Sequence, residues 1–74
     1  MNASATANFR RDNYEMDCAD RLFRFGERPT SDLERLKAHF TACLPLATVR
    51  ENRIRGEAIV ACCIDELAYR AMRS

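Results

Sequence analysis

His39 and Cys43 stand four residues apart, a spacing that puts an imidazole and a thiol on one face of a helix. Two chemistries use such a pair. The imidazole can act as general base for a cysteine nucleophile. Alternatively, the two supply half of a four-ligand zinc site, with Cys18 and either Cys62 or Cys63 completing it. Neither pattern is filled in by its surroundings. His39 is the only histidine, no Cys-x-x-Cys pair exists, and no acid is evident to orient the ring. All four cysteines fall among apolar neighbours, so they read as small buried hydrophobes. No metal is expected, His39 and Cys43 being weak candidates only. A disulfide framework is not expected either: the compartment reads as the reducing cytosol, and adjacent Cys62 and Cys63 have poor geometry for a bond to each other.

The carboxylates offer no more. Asp65 and Glu66 are adjacent, but neighbouring positions on a helix point about 100° apart and do not share a proton. The chain has no Gly-rich phosphate loop, no Gly-x-Ser-x-Gly and no His-Glu-x-x-His. A 74-residue domain is also too small for a deep pocket. Neither catalysis nor a cofactor is expected.

Arginine is the remaining chemistry. Arg50, Arg53 and Arg55 lie within six residues, with Asn52 between them. Arginine and asparagine are the side chains that read guanine and adenine bidentately, so the stretch loosely suits a recognition helix. Charge argues against it. Twelve basic and eleven acidic residues give +1, and dividing the chain after residues 26 and 45 leaves no part beyond +1. A nucleic-acid-binding domain is usually strongly basic. Guanidinium groups also serve protein interfaces, pairing with carboxylates and stacking on aromatics. Arg50, Arg53 and Arg55 are therefore the leading partner-binding candidates, joined by Arg21 and Arg24 and by Tyr69, which sits among charges.

The positioning elements are helical. Residues 1–11 read as a flexible tail, with Phe9 a possible contact to the body, and 12–74 as a single helical domain. From about 13 to 25, Tyr14, Cys18, Leu22 and Phe25 recur at helical steps, beside a second row of Met16, Ala19 and Phe23. Gly26 follows as a C-terminal cap. Ser31 to Glu34 matches a capping box, opening a helix over 32–43 with Leu33, Leu36, Phe40 and Cys43 on one stripe. Pro45 ends it. Thr48 to Glu51 is a second capping box, and the pattern then runs over 49–72, broken only by Gly56. Glycine inside a helix costs about 1 kcal/mol against alanine, so Gly56 marks a bend or a close approach. The fold expected is all-α: a bundle of two to three helices, the last two an antiparallel hairpin with the long C-terminal helix central.

That last helix has apolar surface to spare. Val60, Cys63, Ile64, Leu67, Ala68 and Ala71 gather on one side, and Asp65, Glu66, Arg70 and Arg73 on the other. Ile59, Cys62 and Tyr69 extend the band past one stripe. Two short helices cover part of it. The remainder is expected to form a homodimer interface through Gly56, Ile59, Val60, Cys63, Leu67 and Ala71. The longest apolar run, Ala58 to Ile64, is too short to cross a membrane, and residues 1–11 lack the pattern of a secretory signal. The expected location is the cytoplasm.

In make-up (small, Arg- and Ala-rich, without a catalytic motif) the chain resembles accessory proteins of GC-rich bacteria and their phages. The function expected is a non-catalytic protein-binding regulator or inhibitor, a helical dimer that modulates a larger host protein. The competing expectation is a small DNA-binding transcriptional regulator using Arg50 to Arg55.

Overall fold

The computed structural model describes residues 13–73; the expected tail and Phe9 lie outside them. Three helices, α1 (Tyr14–Phe23), α2 (Thr30–Cys43) and α3 (Arg50–Arg73), are joined by 3-10 turns at Phe25–Glu27 and Leu44–Leu46. The all-α expectation holds, and no strand occurs among the described residues.

Helix α1 starts where Asn13, in extended backbone, accepts the Met16 N–H on its side-chain oxygen at 3.1 Å. Glu15 and Asp17 in the first turn complement the positive end of the helix dipole. The helix ends two residues earlier than expected, because Arg24 rather than Gly26 takes the left-handed conformation, at φ 51° and ψ 58°. Such a conformation costs a non-glycine residue about 1–2 kcal/mol. Leaving the helix at Arg24 turns Phe25 inward until it is wholly buried, and burial of a phenylalanine returns roughly 1.5–3 kcal/mol. Burial wins.

Helix α2 also departs from its expected start. Pro29 precedes its first residue, Thr30, and Ser31 falls inside the first turn instead of capping it. Acid at the start is supplied by Asp32, which accepts from Arg35 at 2.6 Å and from Arg28 at 3.2 Å. These contacts, that with Arg35 foremost, hold its carboxyl below the ordinary range. Leu33 is fully buried, and Leu36 and Phe40 pack against the core beside it. The helix stops at Cys43 as expected, with Pro45 in the turn that follows.

The 24 residues of α3 span about 36 Å. The helix begins at Arg50, so the capping position falls to Val49, whose carbonyl accepts the Arg53 N–H at 3.1 Å, and not to Thr48. The long helix is central, with α1 and α2 both packed on it. Helix α2 runs antiparallel to it. Leu44 meets Gly56 at one end of the pair, and Thr30 meets Arg70 at the other. A Cβ on Gly56 would lie 3.0 Å from the Leu44 side chain, so this glycine marks a close approach rather than a bend. Helices α1 and α2 touch through Phe23, edge-on to Phe40 at 6.1 Å and stacked on Phe25 at 5.5 Å. The core is Met16, Ala19, Phe25, Leu33, Ala58, Ile59, Cys62 and Cys63.

One charged pair belongs inside. Glu66 and Arg70, read from sequence as part of the solvated side of the last helix, face inward, and Glu66 is only 7% exposed. Arg70 donates to Glu66 at 3.1 Å, to Thr30 Oγ1 at 3.0 Å, and to the carbonyls of Arg28, Phe25 and Gly26 at 2.6, 3.3 and 3.5 Å. Its rigid fork satisfies the backbone of the α1–α2 connection, which has few backbone partners of its own in a 3-10 turn.

Candidate functional site

A groove of about 440 Å³ lies between α1 and the first half of α3. Its floor and walls are Cys18, Ala19, Phe23, Ile54 and Ile59, and Tyr14 and Leu22 stand at its mouth. Period alone gives the first helix two apolar rows, with Tyr14, Cys18 and Leu22 in one and Met16, Ala19 and Phe23 in the other. Packing chooses between them. Met16 and Ala19 of the second row are buried, whereas Leu22 is 81% and Tyr14 75% exposed. Ten residues carry two apolar rows, and α3 covers only one of them.

Glu15, Glu51 and Arg55 form the polar rim. No ion pair involves any of the three among the described residues. The Tyr14 phenol, hydrogen-bonded to Cys18, is held above its ordinary pKa mainly by that contact and its charge, with Glu15 adding to it. It is neutral at physiological pH, and with its proton given to Cys18 its oxygen can accept a hydrogen bond at the mouth of the groove.

The arginines expected to act together are divided by the fold. Arg55 reaches the groove, while Arg50 and Arg53, three apart, share the exposed outer face of α3 with Glu57. Arg21 pairs with Asp17 at 3.0 Å, and Arg24 approaches Glu27 at 4.0 Å. Tyr69 is half-buried, with the Arg73 guanidinium 5.3 Å from its ring centre. Of the residues assigned to a dimer face, Gly56, Ile59 and Cys63 are buried in this chain's own core. Val60 and Leu67 are half-buried, and Ala71 is exposed.

Cys43 Sγ and His39 Nε2 do meet, at 3.7 Å, on the surface of α2, where the imidazole lies edge-on to Phe40. Among the described residues no group of three or more His, Cys, Asp or Glu side chains could hold a metal ion. Cys62 donates to the Met16 carbonyl at 3.5 Å, and burial pushes the Cys63 thiol up. A raised pKa and exclusion of solvent make a thiol inert. In the folded protein Cys18 and Cys43 are expected to react with an excess of a disulfide reagent, and Cys62 and Cys63 only after denaturation. Counting released thiolate against time checks this, and fast reaction at all four would contradict the packing.

No described helix is long and apolar enough to cross a membrane. Compared with family models, curated proteins and solved structures, the chain matches none. The functional reading therefore rests on the groove and the charges around it.

Proposed function

We propose that this chain is a non-catalytic protein-binding regulator that docks on a larger protein through the α1–α3 groove. The observation that carries this reading is Leu22, a large apolar side chain left exposed at the mouth of an apolar groove. Exposed apolar surface rimmed by polar groups is the character of an interaction site. The occupant that fits is an amphipathic helix of the partner, inserting an apolar side chain between Cys18, Phe23 and Ile54. Glu15 and Glu51 call for lysine or arginine flanking that side chain, and Arg55 for a carboxylate.

Leu22→Asp removes the anchor and costs the fold little, because Leu22 is already in water. Affinity capture from lysate of the source cell, with bound proteins identified by mass spectrometry, tests the reading. A protein retained by the wild type, lost with Leu22→Asp and kept with the equally exposed Leu46→Asp is the expected result. Retention by Leu22→Asp, or no retained protein, would overturn it. So would capture of nucleic acid that washes off in salt and is lost with Arg50→Ala/Arg53→Ala, the signature of the DNA-binding reading.

A further inference from the structure

The α1–α3 groove begins where the described chain begins. Asn13 caps α1, and the next two residues, Tyr14 and Glu15, already stand at the mouth and rim. Immediately before them in sequence come Phe9, Arg10, Arg11 and Asp12, which lie outside the described residues. Between Met1 and Asn13, Phe9 is the only large apolar side chain, and the three residues after it are the only charged ones. Residues 2–8 are all asparagine, alanine, serine or threonine.

We propose that residues 9–12 fold back over the groove as its intramolecular occupant, with Phe9 set between Cys18 and Ile54. This rests on the docking role given to the groove above, because a partner must then displace the chain's own segment. Charge complementarity carries it. The rim holds two acids and one base, Glu15, Glu51 and Arg55, and none of them is in an ion pair among the described residues. The segment offers two bases and one acid: Arg10 and Arg11 for the two glutamates, and Asp12 for Arg55. An apolar side chain beside two cations and one carboxylate is also what the groove asks of a partner.

Reach permits the contact. The five steps from Phe9 to Tyr14 extend at most about 17 Å. The groove runs along α1 from Tyr14 to Phe23, about 14 Å. Tethering supplies the strength. A short linker holds its end at an effective concentration in the millimolar range, so a contact with a dissociation constant of about 1 mM between separate molecules is filled about half of the time. Exposed ion pairs add little in water, so Phe9 is the anchor and the charges set its position. A partner that finds the groove open only half of the time binds about twofold more weakly.

Alkylation of the full chain with iodoacetamide, read cysteine by cysteine by mass spectrometry, tests the proposal. Cys18 lines the groove, and Cys43 lies on α2 outside it. Phe9→Ala is expected to speed Cys18 about twofold or more and to leave Cys43 unchanged, with Cys62 and Cys63 still protected in the core. Arg10→Glu/Arg11→Glu is expected to do the same, through repulsion from Glu15 and Glu51. In the wild type, nuclear Overhauser contacts should join the Phe9 ring to the Ile54 methyls. A Cys18 rate indifferent to both variants, Phe9 contacts to another face, or Cys62 and Cys63 opening with Phe9→Ala would each overturn the proposal. None of these measurements needs a partner, so they decide the matter even if the docking reading fails. Where a partner is captured, Phe9→Ala should bind it about twofold more tightly. A partner lost with Leu22→Asp but bound equally by Phe9→Ala and wild type would leave docking standing and overturn the segment as occupant.

Discussion

Replacing Arg70 by alanine is expected to lower the unfolding free energy by about 3 kcal/mol, the scale seen when one member of a buried ion pair is removed. A domain of this size holds only about 4–11 kcal/mol in all. The loss is large because it falls on several groups together. Glu66 stays buried and loses its Arg70 contact, and the carbonyls of Phe25, Gly26 and Arg28 lose a donor at the turn between α1 and α2. In a domain of 60–100 residues 1 kcal/mol shifts the melting temperature by about 4–8 °C, so a drop on the order of 15 °C follows. Urea denaturation followed by circular dichroism measures it. Arg70→Lys should recover less than half, since one ammonium cannot span Glu66 and the carbonyls that the guanidinium fork reaches. A cost below about 1 kcal/mol for Arg70→Ala would mean that the latch is ornamental.

Phe25→Ala is expected to cost about 4 kcal/mol, within the range for truncating a buried aromatic. Phe25 is wholly buried, stacks on Phe23 and fills the angle where the connection turns back over α3. Its removal also takes away the gain that offsets the left-handed backbone at Arg24. Phe25→Leu keeps most of the volume and should cost less than half as much. Equal losses for the two variants would show that the ring shape, not the cavity, governs the site. Arg70 donates to the Phe25 carbonyl, so the double variant Phe25→Ala/Arg70→Ala should lose less than the sum of the two.

Phe25 lies in the α1–α2 connection and Arg70 reaches that connection from α3, and this is the part of the chain that sequence described least well. Gly26 looked like the cap of the first helix, because glycine takes positive φ without a Cβ penalty. The cap fell to Arg24, since Phe25 had to be delivered to the core two residues after Phe23. Propensity alone does not contain that demand. The capping boxes erred for a related reason. Pro29 and Val49 took the capping positions because the turns before α2 and α3 set where each helix begins.

The groove was half visible. Tyr14, Cys18 and Leu22 stood out in the sequence as an apolar row, and their spacing was right, but nothing in the spacing said which of the two rows would be covered. The surplus of apolar surface on the last helix was also legible, though its outer strip is centred on Ile64 rather than on Ile59 and Cys63. The pairing of Glu66 with Arg70 was legible as a spacing of four. Its place inside the fold was not.

The sequence by itself determined the helical class and three segments to within about two residues. It also determined the antiparallel hairpin with the long helix central, and a charge balance near neutrality. These follow from local period, proline and composition, which act over a few residues and need no knowledge of neighbours. Only the tertiary structure decided which apolar row of α1 is covered, which arginine latches the turn, and which strip of α3 is left over. Period says which side chains share a face. Which face is desolvated depends on what the other helices bring to it, and that choice exists only once the chain has packed.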